Sequence, residues 1–504
     1  MVAQHNNRRI AIVGGGLAGA TLAIKLLREA TQPLSIQLVE PAAQLGRGLA
    51  YATQEPEHLL NGPALLFSLY PEEPDHFTHW LARQPAYANL PLAEVAQRFA
   101  PRWLYGDYVA AEILSAQQNA IPGVTLTHIQ ARVDDLDVAH DHTASGGVTL
   151  ALNDGRILHA DHAVLALGVF QARPRFDADG SLSAARAYID DPWDRTRLAA
   201  LADARDIVLV GASLTMIDTV VSLENAGYRG SYRVLTRHGL TPVARLNVPP
   251  ADDPFAHGGP PRTLRQLVRA LRTSAREISA QGGEWQTLGG ALKPYIADWW
   301  RQASLADRQR FYRHVRPHWD VFLHRAPPLS AARVAALRAN GRLVVEAASV
   351  KSLERTSAGK VTVSYRARGS DEVHALITEA VINCTGPDYR WHAASEHRLV
   401  RNLFSRGLVK AGPVDLGIAS QGAYAVVGAD GHVKSSLSVL GAALRGTFVE
   451  PGTIPDIAQQ TSALSTRLLA HPQPATEQGQ HVRPAETQRE LTPKPALAAS
   501  ATIE

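Results

Sequence analysis

The chain has 504 residues, of which 45% are hydrophobic and 19% are charged, a composition typical of a globular protein of about two to four domains. Its formal charge of +4 is small, and without a Lys/Arg-rich block it argues against a nucleic-acid partner. The single cysteine, Cys384, excludes an intrachain disulfide and a cysteine metal cluster, so no metal is expected. A polar N-terminus and the lack of an 18-residue apolar run predict a cytoplasmic protein without a membrane span.

The first apolar pattern in the chain predicts a dinucleotide-binding βαβ unit. A strand at residues 10–13 runs into a turn of the form G-x-G-x-x-G, then a helix, then a strand at 35–39 that ends on Glu40. The glycines permit a tight turn, close approach of a pyrophosphate and close helix packing, while the helix N-terminus favours phosphate. Glu40 can accept hydrogen bonds from ribose hydroxyls and would repel a 2′-phosphate, which favours FAD or NAD over NADP. The residues predicted to bind this cofactor are Gly14, Gly15, Gly16, Leu17, Ala18, Gly19 and Glu40.

The next part of the chain is predicted to complete the first unit. A loop-rich stretch at 41–68 is followed by a largely helical stretch at 75–99 and a helix that ends near residue 119. Strands are predicted from 124 to 168, with a hairpin turn at 153–155, because Asn-Asp-Gly separates two alternating runs.

The same plan recurs later in the chain, which indicates an internal repeat. The segments 126–168 and 344–386 have equal length, and both end on an apolar strand that closes with glycine. A second βαβ start precedes the second copy, with strands at 206–210 and 231–236, and its second strand runs into Arg237.

A cation at this position can accept a 2′-phosphate, so we predict FAD at the first unit and NADPH at the second. Ser213 replaces the middle glycine and weakens the second motif, and Arg237 could instead be a solvated loop arginine. The residues predicted to bind NADPH are Gly211, Ser213, Leu214, Thr215 and Arg237.

A segment between about 250 and 330 does not belong to a minimal βαβ unit. It contains helical patterns at 264–280 and 292–301 and is rich in Arg, His and Trp. Two interpretations stay open: a surface helix with arginines that extend to solvent, or a lid over an anionic group. That group would be the NADPH phosphates or a carboxylate substrate.

These motifs resemble the FAD/NAD(P)-binding flavoprotein family that is distantly similar to N-hydroxylating and Baeyer–Villiger monooxygenases. The matching stretches lie between residues 12 and about 465, and they are 12–19, 48–51, 58–61, 102–108, 211–218, 313–325, 383–387 and 441–455. The F-x-G-x-x-x-H signature of Baeyer–Villiger enzymes is missing, and one cysteine excludes a dithiol reductase. Within these stretches and at the strand ends, further cofactor contacts are expected at Asp107, Gly168, Thr385, Gly386, Gly441 and Arg445.

The resemblance implies an α/β fold with two Rossmann-like domains, the second nested in the first, and a helical insertion. We expect the FAD domain at 1–200 and 375–470, the NAD(P)H domain at 201–374 and a disordered tail at 471–504. The expected activity is an NADPH-using monooxygenase that acts through a flavin C4a-hydroperoxide on a small molecule, anionic or amine-bearing. The alternatives are an FAD-dependent dehydrogenase or oxidase and a non-catalytic flavin-binding partner protein. The oligomeric state stays open.

The candidate active-site residues follow from this interpretation. Asn61 and Arg445 are expected beside the flavin, and Cys384 either lies near the nicotinamide or simply packs in the core. The side chains expected to act on substrate or at the NADPH entrance are Asn61, Arg313, His314, Asp320 and Arg325.

Overall fold

The structure is a computed structural model, and it describes residues 7–139, 147–170, 182, 187–249, 251, 253, 255, 259–394 and 396–470. The strands are β1 (Arg8–Val13), β2 (Leu34–Val39), β3 (Val124–Ile129), β4 (Val133–Val138), β5 (Val148–Leu152), β6 (Ile157–Ala160), β7 (His162–Leu165), β8 (Tyr188–Ile189), β9 (Asp206–Val210), β10 (Ser231–Thr236), β11 (Leu343–Arg355), β12 (Val361–Ala367), β13 (Val373–Thr378), β14 (Ala380–Asn383), β15 (Ser420–Gln421), β16 (Ala425–Val427) and β17 (Val433–Val439).

Helices connect and cover these strands. They span Leu17–Glu29, Gly48–Tyr51, His76–Ala82, Leu92–Ala96, Arg102–Gln118, Arg195–Ala199, Leu214–Asn225, Leu264–Ala280, Leu288–Gln302, Leu305–Arg310, Arg316–Leu323, Pro328–Ala339, Trp391–Ala394, Arg398–Ser405 and Ile454–Leu469, with a π-helical turn at Phe311–Val315. No helix in the described part of the chain is long and apolar enough to cross a membrane.

Two seven-stranded sheets dominate the fold. The first has the order β15-β16-β17-β7-β1-β2-β3 and the second has the order β13-β12-β11-β10-β9-β14-β8. In each sheet five neighbouring strands are parallel, and an antiparallel pair extends one edge. Parallel strands are buried on both faces, which is why continuous apolar runs such as β1 and β9 occupy their centres.

The strands of the second sheet all fall between β7 and β15 in the chain, so the second unit is nested in the first. The predicted α/β fold with two dinucleotide-binding units is therefore confirmed. The expected domain limits differ from the sheets at β8 and β14, which were assigned to the FAD domain but pair in the second sheet. The reason is that the chain enters and leaves the second unit through these strands. The expected tail at 471–504 lies outside the described residues.

The helical insertion has an apolar core of its own. Helix Leu264–Ala280 begins with a capping box, in which Thr263 and Gln266 satisfy each other's backbone amides. Buried aromatic side chains of the insertion pack together with Val449, which comes from the first unit. These aromatic residues are Phe255, Trp299, Trp300, Phe311 and Trp319. This shared core places the insertion against the loop that follows β17.

Candidate active site

The first glycine turn has a backbone geometry that only glycine fits. Gly14 has a φ of +103°, and a Cβ there would lie 2.3 Å from the carbonyl oxygen of Ala166. A Cβ on Gly19 would lie 1.9 Å from the carbonyl oxygen of Gly14. Gly16 is the extended N-cap of helix Leu17–Glu29, and no side chain caps that end, so its amides stay available to an anion.

Glu40 is held at the end of β2 by two backbone amides. Its Oε2 accepts a hydrogen bond from the Gly15 amide at 2.8 Å, and its Oε1 accepts one from the Ala42 amide at 3.0 Å. These contacts fix the carboxylate beside the first turn, where it suits a ribose and disfavours a 2′-phosphate.

The second turn repeats this backbone arrangement. Gly211 has a φ of +102°, and a Cβ there would lie 2.4 Å from the carbonyl oxygen of Cys384. The Gly211 amide donates to Leu235 at 2.9 Å, as the Gly14 amide does to Val39 at 2.9 Å. Ser213 takes the extended N-cap position with an exposed side chain that makes no capping hydrogen bond. The serine therefore leaves this helix end open, and the substitution is compatible with a phosphate.

A cavity of about 330 Å³, here called the nucleotide cavity, opens from the second turn toward the helical insertion. Arg237 and His238 line it, and the buried Nδ1 of His238 has no hydrogen-bond partner among the described residues. Burial lowers the pKa of His238, and the charges of the neighbouring Arg368 and Arg237 lower it further. A cluster of cations at the end of β10 fits the 2′-phosphate of NADPH.

A second cavity of about 450 Å³, here called the central cavity, lies where the first unit meets the helical insertion. Its walls are largely apolar and include Trp300, Trp319 and Phe448. His324 lines both this cavity and the nucleotide cavity. The two spaces therefore share a wall, as a nucleotide site and a substrate site would require.

Ion pairs around Glu450 join the insertion to the first unit at that wall. Glu450 lies 2.8 Å from Arg316, 3.2 Å from Arg445 and 3.3 Å from His324. The two guanidinium groups and His324 hold the pKa of Glu450 well below its ordinary value, against the effect of its burial. Burial lowers the pKa of Arg445, but Glu450 and the nearby tyrosines outweigh it and raise that pKa overall. Glu450 is thus a carboxylate that both sides of the junction share.

The same cluster contains three groups that could ligate a metal. Atoms of Asp320, His324 and Glu450 lie within 4.8 Å of one another. The Arg316 guanidinium lies between the two carboxylates, 2.6 Å from Asp320 and 2.8 Å from Glu450. A cation of the protein itself therefore already neutralises them.

The structure brings several of the predicted site residues to these cavities. The central cavity is lined by Asn61 and Arg325, and Arg445 lies beside it because it pairs with the lining residue Glu450. The nucleotide cavity is lined by Asp320. Gly441 donates its amide to buried Gln460 at 2.8 Å. Other predicted residues lie near the turns. Thr385 lines the nucleotide cavity, and a smaller cavity is lined by Thr215, Gly386 and Trp193. Leu214 is the first residue of helix Leu214–Asn225, and Gly168 has a φ of +68°.

Three predicted residues have other surroundings. Arg313 and His314 are exposed in the π-helical turn, and their neighbours Tyr312 and Arg316 line the nucleotide cavity instead. Asp107 forms an ion pair with Arg47, which also contacts the carbonyl of Trp103.

The residues that sequence reasoning did not single out are Arg245, Arg316, His324 and Glu450. Arg316 and His324 lie in the segment between about 250 and 330, and its high content of Arg and His was the signal that could have indicated them. Arg245 and Glu450 lie in loops whose role depends on tertiary contacts.

The thiol of Cys384 is expected to resist alkylation in the folded protein. The residue is 1% exposed, and burial raises its pKa to about 12, so the reactive thiolate is not formed near neutral pH. Mass spectrometry after iodoacetamide treatment at about pH 8 should show no labelling of native protein and full labelling in denaturant. Rapid labelling of the native protein would contradict the packing interpretation.

Comparisons with known proteins agree with this geometry. Residues 11–170 match the model of the FAD-NAD(P)-binding family. An uncharacterized protein of Mycobacterium tuberculosis is 22% identical over 412 residues, which cover 75% of this chain and 74% of that protein. The solved ornithine N-hydroxylase of Kutzneria sp. 744 is 14% identical, with a TM-score of 0.61, covering 92% of this chain and 99% of that one. The FAD-bound cadaverine monooxygenase of Erwinia amylovora is 14% identical, with a TM-score of 0.60, covering 98% of this chain and 99% of that one.

The sheets and the two glycine turns define an α/β fold with two dinucleotide-binding units, and the solved ornithine N-hydroxylase shares this fold. The N-terminal part of the first unit is the part that matches the FAD-NAD(P)-binding family model. At these identities the solved structures establish the fold, and the chemistry must be argued from the site.

Proposed function

We propose that the protein is an FAD-dependent, NADPH-using monooxygenase that hydroxylates a small amine-bearing molecule in the central cavity. The observation that carries this proposal is the common wall at His324, which separates the nucleotide cavity from the largely apolar central cavity. The similar ornithine N-hydroxylase and cadaverine monooxygenase support an amine substrate.

Each part of the proposed site has a defined task. The turn at 14–19 with Glu40 would hold FAD, and the turn at 211–215 with Arg237 would hold NADPH. Bound FAD supplies hydride acceptance and oxygen activation, chemistry that belongs to the cofactor. The chain would orient the reactants, and the apolar wall around Trp300 and Trp319 would exclude water from the reacting atoms.

Two alternatives predict different products. An FAD-dependent dehydrogenase or oxidase would make no hydroxylated product, and the Ser213 substitution motivates it through weaker NADPH binding. A non-catalytic flavin-binding protein would hold FAD that NADPH cannot reduce.

The decisive experiment has an anaerobic and an aerobic arm. Anaerobic mixing with NADPH should bleach the flavin absorbance, and failure to bleach with either NADPH or NADH would favour the non-catalytic alternative. In air, L-ornithine, cadaverine and related amines should raise NADPH consumption and yield a hydroxylamine. Hydrogen peroxide equal to the NADPH consumed, with every amine, would instead indicate an oxidase.

Replacing Arg237 with alanine is expected to raise KM for NADPH by about 10–100-fold and leave KM for NADH unchanged. Loss of a charge-assisted contact to the 2′-phosphate costs about 1.5–3 kcal/mol, and each 1.4 kcal/mol is about tenfold in binding. The control is Arg233→Ala on the same strand, because Arg233 pairs with Glu346 at 2.9 Å. An unchanged KM for NADPH would mean that Arg237 is a solvated arginine, and equal increases for both nucleotides would mean that it does not recognise the 2′-phosphate.

A further inference from the structure

Two arginines enter the wall of the central cavity without a carboxylate partner. Arg325 is 5% exposed and Arg245 is half-buried, and both line the cavity. Among the described residues neither forms an ion pair, and their hydrogen bonds go only to backbone carbonyls. A buried charge that lacks a counter-ion is costly, so such a pair calls for an anion from elsewhere.

The surrounding structure holds the two arginines side by side. The Arg245 amide donates to the carbonyl of Ala326 at 2.8 Å, which anchors its loop next to Arg325. Buried Gln286 clamps the same loop: its side chain donates to Ala244 at 2.9 Å, and its own carbonyl accepts from Arg325 at 3.3 Å. The position of both guanidinium groups is therefore set before any ligand arrives.

The two cations also influence each other. Burial lowers the pKa of Arg325 to about 10, and the charge of Arg245 contributes to that lowering. Burial likewise lowers the pKa of Arg245. Two carboxylates line the cavity, and neither pairs with these arginines among the described residues: Glu450 pairs with Arg316, Arg445 and His324, and Asp456 accepts a hydrogen bond from the Thr453 hydroxyl.

We propose that Arg245 and Arg325 bind a carboxylate of the substrate, so that the central cavity selects an amino acid over a diamine. This inference rests on the proposed function for its view of the cavity as the substrate site. The similar structures leave the choice open, because one acts on ornithine and another on cadaverine. A carboxylate between two guanidinium groups gains charge-assisted hydrogen bonds and removes their repulsion.

The test compares two ligands of nearly equal shape on the FAD-loaded protein without NADPH. The probes are 5-aminopentanoate and 5-aminopentanamide, and binding is followed by flavin fluorescence and by thermal unfolding. The wild-type protein should bind the acid at least about tenfold more tightly than the amide. Equal binding of acid and amide would overturn the proposal.

Variants locate the effect. Arg325→Gln and Arg245→Gln should each remove the preference for the acid, while Arg325→Lys should keep part of it because the charge is retained. The matched control is Arg301→Gln on the same insertion, since Arg301 is exposed and ion-paired with Asp298. If both glutamine variants keep the full preference for the acid over the amide, the assignment is wrong. Even if a variant fails to fold, the comparison of acid and amide on the wild-type protein still tests the proposal.

This experiment separates the inference from the proposed function. If NADPH reduces the flavin and amines are hydroxylated, yet acid and amide bind equally, the carboxylate site is wrong and the monooxygenase stands. If KM for NADPH rises in the arginine variants while the acid preference persists, these cations serve the nucleotide, and the inference fails.

Discussion

Replacing Glu450 with glutamine is expected to lower the free energy of unfolding by about 3–5 kcal/mol. The substitution leaves buried Arg445 without its counter-ion and leaves Arg316 with Asp320 alone, and removing one partner is the costly way to break a buried ion pair. Chemical denaturation of the FAD-loaded protein measures the change. The control is Glu94→Gln, because the exposed Glu94–Arg98 pair should contribute about 0.5 kcal/mol or less.

The pH dependence of stability gives the same substitution a second readout. The pKa of Glu450 is depressed in the folded state, so its contribution is present above its ordinary pKa of 4.5 and is lost as the pH falls below that value. The variant should therefore show a flatter loss of stability in acid than the wild-type protein. Parallel acid profiles would mean that the Glu450 ion pairs do not stabilise the junction.

Alanine at Gly14 is expected to abolish FAD binding, whereas alanine at Gly211 should leave the protein yellow and block reduction by NADPH. Each new Cβ would lie within 2.4 Å of a carbonyl oxygen at a positive φ, a clash worth on the order of 3 kcal/mol or more. Absorbance of the purified protein and anaerobic titration with NADPH measure the two effects.

The control for backbone strain alone is Gly155→Ala. Gly155 has a φ of +85°, but a Cβ there would meet nothing within 4 Å. The free energy of unfolding of this variant should fall by only about 1 kcal/mol, and the variant should still bind FAD and be reduced by NADPH. Reduction of Gly211→Ala by NADPH at the wild-type rate would show that the second turn is not the nucleotide site.

The predictions that succeeded rest on short-range patterns. Strands β9 and β10 and helix Leu264–Ala280 have the predicted limits, because apolar periodicity and turn residues act locally. The repeat was visible in the sequence for the same reason, because the positive φ at the start of each turn requires glycine at the same place in both units.

The surroundings of other side chains depended on local geometry that no period reveals. Arg313 and His314 fall in a π-helical turn, whose wider winding changes which side chains face inward. A regular helix pattern could not indicate that Tyr312 and Arg316 would line the nucleotide cavity instead. Glu450 was not singled out because Arg316 and His324, two of its partners, lie in a different part of the chain, and only the packing of the insertion brings them to it.

The near-identical backbones of the two turns have an evolutionary consequence. With φ values of +103° at Gly14 and +102° at Gly211, the main chain treats the two nucleotides alike. Under the proposed function, discrimination between the nucleotides would reside in single side chains at the strand ends, namely Glu40 and Arg237. A scaffold with two such turns would allow one electron donor to be exchanged for another by point substitution, with no remodelling of the architecture around it.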